Sequence, residues 1–320
     1  MTLSDESVTH WAERWCAARE ARGVGSVRDD RCRLRCHVLP LIGEESMTSV
    51  PEARLEDVRD ALDLKVCRHE LSWRTAHHVW AVVRAMFREA RASKVRALRV
   101  RGDDPSREIA PPDRGVTKSK QFLFPSELGA VLSCEAVPLA ARRSFALATT
   151  LYLRASELAA LAWDDIDLEH GMVHVHRSLG AVTEKATKGG VARRFRLEAT
   201  LEPLLRAMHR EGEGRGRVVG PLDRYGLARS LRAALRMAGV GRRELFANDR
   251  TRKWITFHDL RATGITWMAI RGDDPLKIRQ RAGHRHLSTT ERYIRVAEEL
   301  RPGFGTVFPE LPASLLGLTR

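Results

Sequence analysis

The chain has 320 residues, a length that fits about two domains. Its content of 43% hydrophobic and 30% charged residues excludes a wholly disordered protein. Fifty-five Lys and Arg against 41 Asp and Glu leave a net charge of +14, which points to a polyanionic partner, either nucleic acid or an anionic membrane surface.

No apolar run reaches the roughly 18 residues that a membrane-spanning helix needs. The opening residues, Met1 to Glu6, are polar and acidic, unlike a secretory signal. The expected location is therefore the cytoplasm. The five cysteines are expected as reduced thiols. Cys32, Cys36 and Cys67 do not have the spacing of a zinc finger, so no metal site is expected.

The first hundred residues read as helices. Val8 to Arg22 carries Trp11, Trp15 and Ala18 along one face, and Gly23 and Gly25 end it. Further helices are expected over Val27 to Val38, Leu55 to Glu70 and Trp73 to Lys94. The last has an apolar stripe running through Trp73, Ala76, Trp80, Val83, Phe87 and Ala90. From Leu71 to Arg101 there are eight basic side chains and a single acid, Glu89. Arg74, Arg84, Arg88 and Arg91 on this helix are read as contacts to a phosphate backbone, because acids to balance them are missing. The alternative is an ordinary solvated face.

Residues 101–120, with three prolines and two glycines, read as a linker. After it, helical patterns resume at Pro125, and Leu139 to Trp163 is long and apolar. The period then changes to two. Met172 to His176 alternates, as does Arg194 to Leu197, with Gly189-Gly190 between them as a turn signal. Short antiparallel strands are expected across 171–198. Helices return over Leu201–Glu211, Tyr225–Ala238, His258–Arg271 and Pro275–Ala282. The expected fold class is mainly α. A helical bundle (1–100) precedes a mostly helical α+β domain with a small antiparallel sheet (121–303), and a tail follows (304–320).

Four clusters in the second half stand out. Arg154 lies in an apolar run, with Glu157-Leu158 after it; Glu157 either orients Arg154 or caps a helix. His258 and Arg261 are spaced to share one helix face. Gly283-His284 and then Tyr293 complete the series. Taken singly, each also fits a plain surface pair, a helix-ending glycine or a packed ring.

In order and spacing, these clusters resemble the tyrosine recombinase (phage integrase) family, whose pattern is an arginine before ExxL, a lysine in a β-turn, HxxR, Gly-His and a tyrosine nine residues past that histidine. The resemblance implies six catalytic residues: Arg154, Lys188, His258, Arg261, His284 and Tyr293. Lys188 is chosen over its neighbour Lys185 because it adjoins Gly189-Gly190. The sequence departs from the commoner pattern at Tyr152-Leu153, where Gly-Leu is usual, and at Ala282, where leucine is usual.

The chemistry gives these residue types a reason to meet. Arginines hold the non-bridging oxygens of a phosphodiester and stabilise the extra charge of a pentavalent transition state. A tyrosine, with a free pKa of about 10, needs cations and a base to act as nucleophile, and His258 is the candidate base. His284 can donate to a non-bridging oxygen, and the lysine can protonate the leaving 5′-oxygen.

The resemblance implies a site-specific recombinase working through a 3′-phosphotyrosyl link, without cofactor, metal or ATP. It also implies double-stranded DNA as partner, a homotetramer assembled on two sites, and a tail that packs into a neighbouring protomer unless it folds back on its own domain. The rival readings are a catalytically silent DNA-binding regulator and a type IB topoisomerase-like relaxing enzyme.

Overall fold

The computed structural model describes residues 6–118, 120–180, 184–186, 192–223, 226–249, 251–300 and 303–317. Its backbone divides into two compact units, residues 1–116 and 117–320.

The first unit is helical. Helices α1 (Val8–Ala21), α2 (Val27–His37), the short α3 (Leu39–Ile42), α4 (Glu52–Cys67) and α5 (Trp73–Ala92) follow in order. Serines start the two that carry the tryptophans. Ser7 accepts the His10 N–H at the head of α1, and Ser72 accepts that of Thr75 at the head of α5, each satisfying an N-terminal donor that the helix leaves open. The α1 face centred on Trp11 and Trp15, whose rings stack 6.3 Å apart, shares one core with the α5 stripe of Ala76, Val79, Trp80, Val83, Phe87 and Ala90, all buried. Burying side chains of this size stabilises by about 1.5–3 kcal/mol each.

The segment expected as a linker is divided between the units. Residues 101–116 pack on the first: Ser106 and Ile109 are buried, Arg101 donates to the Met47 carbonyl, and the Trp73 indole N–H donates to the Val116 carbonyl. Proline and charge content alone conceal this, because a few buried side chains and local hydrogen bonds suffice to hold an irregular segment.

The second unit contains α6 (Pro125–Ser133), α7 (Leu139–Thr150), α8 (Ala155–Leu158), the strands β1 (Ile166–Asp167), β2 (Met172–Val175), β3 (Arg177–Leu179), β4 (Glu184–Ala186) and β5 (Arg193–Arg196), then α9 (Glu202–Glu211), α10 (Leu227–Met237), α11 (Arg243–Phe246), α12 (Phe257–Arg271), α13 (Pro275–Ala282) and α14 (Leu287–Leu300). The alternating segments pair as expected. β2 and β5 are antiparallel, with Met172 opposite Arg196 and Val175 opposite Arg193, and β1 adds to the other edge of β2. The chain between β2 and β5 carries a second antiparallel pair, β3 with β4.

α12 is the centre of this unit. From Phe257 to Ala269 all its side chains except His258 are buried, the pattern of a helix enclosed on every side. It crosses α7 at Gly264, where a Cβ would stand 2.0 Å from the Thr149 carbonyl oxygen. The apolar run Leu139 to Trp163 is not continuous helix. It breaks after α7 at Tyr152, whose φ is +55°, a conformation that favours glycine. The glycine of the usual Gly-Leu pair would adopt it without strain, so the departure to Tyr152 has a cost that its side-chain contacts must offset. The Tyr152 ring holds the strained turn in place: it packs near Phe195 and Phe308, and its hydroxyl donates to Glu198 at 2.6 Å.

The tail folds back on its own unit. Phe304, Phe308 and Leu315 are buried, Arg271 lies 4.5 Å over the Phe308 ring, and Arg143 donates to the Leu315 carbonyl. In this single chain, apolar surface on α7 and α12 is covered by the chain's own tail.

Candidate active site

The break at Tyr152 puts Arg154 at the head of α8. The Glu157 carboxylate accepts the Arg154 backbone N–H at 2.9 Å and its guanidinium at 2.5 Å, so the two alternatives for Glu157 are both realised. Glu157 does more. Arg193 on β5 donates to both its oxygens, at 3.2 and 2.8 Å, and Arg261 on α12 stands 3.6 Å away. Burial would push the Glu157 carboxyl up, but the Arg193 hydrogen bonds and the charges of Arg193, Arg261 and Arg154 outweigh it and hold the pKa at about 2. One buried anion thus gathers three guanidiniums from three elements.

Arg261 is almost wholly buried. It donates to the Tyr152 carbonyl at 2.5 Å and to the Ala282 carbonyl, which ties α12 to the turn before His284. Burial and the nearby Arg154 charge push it down to about 9, so it stays cationic at neutral pH. α12 starts with Thr256 as N-cap, and Asp259 accepts the Thr256 N–H at 2.8 Å. Lys253 clamps the same carboxylate at 2.9 and 2.8 Å. His258 sits in the first turn with an open outer surface. The protein packed against its other sides, and the Arg261 charge, push it down to about 4 and keep it neutral.

α13 ends at Gly283, with φ +62° and with Arg193 Nη1 3.2 Å from where a Cβ would stand. Both facts select glycine before His284. His284 Nδ1 meets Thr290 Oγ1 at 3.0 Å, and its ring stacks on Tyr293, 5.8 Å between centroids and 15° between planes. Burial and the Arg261 charge push the imidazole down to about 3. Tyr293 itself is buried on α14, and burial raises its phenol while Arg261 opposes the rise. Its oxygen lies 2.5 Å from Lys120 Nζ, and that nitrogen is 4.5 Å from the ring centroid.

Arg154, His258, Arg261, His284 and Tyr293 therefore come together within one unit. Lys188 lies outside the described residues. Lys185 is on β4, opposite Ser178. Sequence reasoning missed Arg193, Lys253 and Lys120. Arg193 sits in an alternating strand, a pattern that marks it as facing inward without showing what it meets. Lys120 falls at the end of the segment expected as a linker. Among the described residues, no group of three or more His, Cys, Asp or Glu could hold a metal ion.

A family model, described as the phage integrase family, matches residues 128–299. That span is more than half the chain and includes Arg154, His258, Arg261, His284 and Tyr293. The chain belongs to the phage integrase family.

The fold agrees. The Tn1549 transposon integrase, solved in complex with a circular intermediate DNA, is 17% identical, with a TM-score of 0.67 over 91% of this chain and 98% of the other. A lambda integrase dimer bound to a COC′ core site is 16% identical, with a TM-score of 0.67 over 91% of this chain and 78% of the other. A lambda integrase tetramer bound to a Holliday junction is also 16% identical, with a TM-score of 0.67 over 88% and 78%. No curated protein matches the chain significantly in sequence.

The second feature that the sequence marked in this integrase-family chain is in the first unit. Arg74, Arg84, Arg88 and Arg91 are all exposed on α5. Arg74 lies 5.2 Å over the Trp73 ring. Arg84 and Arg88 form no ion pair among the described residues. No described helix is long and apolar enough to cross a membrane.

Proposed function

We propose that this chain is a site-specific DNA strand transferase in which Tyr293 is the nucleophile. The observation that carries the reading is the meeting of Tyr293 with two arginines and two neutral histidines in one group: His284 stacks on its ring, Arg261 acts on its phenol, and Arg154 and His258 lie beside Arg261. A phosphodiester entering this group meets Arg154 and Arg261, whose fixed charges stabilise the additional negative charge of the pentavalent transition state. Buried Glu157 and Arg193 act through the two arginines by fixing their position. His258 and His284, held neutral, present ring nitrogens to the non-bridging oxygens. Attack by Tyr293 forms a 3′-phosphotyrosyl bond and releases a 5′-oxygen, which takes a proton from the lysine that the family pattern assigns, Lys188. The reverse attack by another 5′-hydroxyl joins a new strand, with no ATP consumed.

Arg74, Arg84, Arg88 and Arg91 contact the DNA backbone. Assembly as a homotetramer on two sites is supported by the fold shared with lambda integrase, which has been solved as a tetramer bound to a Holliday junction.

The test uses a pool of random-sequence duplexes, each nicked so that cleavage sheds a short strand and cannot be reversed. Wild-type protein is expected to form a denaturation-resistant adduct with a subset of the pool, and sequencing that subset gives the site. Tyr293→Phe, which keeps the ring and its packing, is expected to form none while binding the same duplexes with affinity unchanged within about twofold. An undiminished adduct in that variant rejects Tyr293 as nucleophile.

A further inference from the structure

Breaking the Tyr293 O–H bond needs an acceptor, and the sequence offered His258. The geometry points to a different group. Among the described residues, Lys120 Nζ donates to Tyr293 Oη at 2.5 Å, the contact along which a proton can pass the other way once the amine is neutral, and no hydrogen bond joins Tyr293 to His258. Lys120 is not placed there by its own flexible stem alone. The residues just after it are anchored to α12 and its approach: Gln121 donates to the Lys253 carbonyl, the Leu123 N–H donates to Thr263, and the Trp267 indole donates to the Leu123 carbonyl. Just before it, Lys118 donates to Asn248. The backbone just after the residue that touches the phenol is thus pinned to α12.

We propose that Lys120, as the neutral amine, is the base that takes the phenolic proton of Tyr293. This rests on the strand-transfer reading above. The step balances: the O–H pair stays on oxygen, the proton joins the free pair of Nζ to give an ammonium, and the oxygen forms its bond to phosphorus as the P–O5′ bond breaks. The new ammonium remains beside the phosphate it has helped to engage.

The surroundings favour this role. Charged and titratable groups facing the pair are His258, Asp259 and Arg261 on α12, Lys253 before it, His284, and Arg292 on α14. Burial of Nζ and the Arg292 charge bring Lys120 down to about 8, near the working range in which a general base is most effective. A phenol with a pKa of about 10 or more gives its proton to an amine near 8 at a disadvantage of about a hundredfold. The disadvantage is about a millionfold for an imidazole held near 4, the position of His258. A bound phosphodiester raises every cationic acid in the group and leaves this order unchanged.

The experiment compares wild type, Lys120→Ala and Lys120→Arg on the duplexes selected above, at saturating protein. Arginine keeps the charge and cannot accept the proton. Wild-type adduct formation is expected to rise with pH and to level off at a pH higher than the free-protein value of about 8, because the bound phosphodiester raises the Lys120 pKa. Both variants are expected to be slower by about a hundredfold or more at pH 7 and to lose that plateau, with DNA affinity retained. A 5′-bridging phosphorothiolate, whose thiolate leaves without a proton, is expected to rescue loss of the general acid but not loss of Lys120.

The pairing is also read in the free protein by ¹³Cζ-tyrosine NMR, with the Tyr293 signal assigned by its loss in Tyr293→Phe. It is expected to shift through about pH 8 in wild type and not in Lys120→Arg. Adduct formation at the full wild-type rate and with the same plateau in Lys120→Arg overturns the proposal. A wild type that shows the NMR shift yet forms no adduct with any duplex overturns the strand-transfer reading instead.

Discussion

Glu157 is the residue on which the cationic group depends. Its carboxylate meets Arg154, Arg193 and Arg261, so removing its charge leaves buried guanidiniums without a counterion. Glu157→Gln is expected to lower stability at pH 7 by about 3–5 kcal/mol, the usual loss when one member of a buried pair is removed. The sign with pH follows from the depressed carboxyl. The folded pKa is about 2, against an unfolded value of about 4.3. The contribution is therefore present above about 4.3 and fades as pH falls toward 2. Urea melts from pH 7 to 3 are expected to show wild type and variant converging below about pH 4.3, and a constant gap across that range would contradict the assignment. At this scale the sequence showed Arg154, His258, Arg261, His284 and Tyr293 because each belongs to a short local motif. Lys120 was hidden because its partner lies 173 residues along the chain, and no spacing rule spans that distance.

At the scale of elements, the crossing of α7 and α12 sets the distance between the loop that presents Arg154 and the helix that presents Arg261. Gly264 makes this crossing possible. A methyl group there would meet the Thr149 carbonyl oxygen at 2.0 Å and Tyr152 Cδ1 at 2.9 Å. Glycine to alanine inside a helix usually stabilises by about 1 kcal/mol. Here the substitution is expected to destabilise by about 1–3 kcal/mol as the helices are forced apart, read as a lower denaturant midpoint with unchanged slope. An unchanged or raised midpoint would show that the crossing has slack. Periodicity revealed the strands and most helices, since alternation and apolar stripes are local. It did not reveal the break at Tyr152. The left-handed turn there is held by contacts to Glu198, Phe195 and Phe308, and tyrosine carries no turn signal of its own. The helix α14 that bears Tyr293 was also not among the expected ones, although Tyr293, Ala297 and Leu300 do recur at helical spacing.

Across the whole molecule, the net charge of +14 pointed to a polyanion before any motif was read, and although most of that excess lies after residue 100, the exposed arginines of α5 are a stretch where acids do not balance it. If Arg84, Arg88 and Arg91 each neutralise one phosphate, replacing all three with alanine is expected to reduce the slope of log K against log salt by about 2.7, at roughly 0.9 per contact on duplex DNA. An unchanged slope would return them to an ordinary solvated face. The account as a whole depends on which atom becomes joined to DNA. Trypsin cuts after Arg292 and Arg295, so digestion of the adduct isolates Tyr293-Ile294-Arg295. Mass spectrometry of the nuclease-trimmed adduct is expected to find a nucleotide 3′-phosphate on Tyr293 of that tripeptide, and a nucleotide on any other residue would contradict the account.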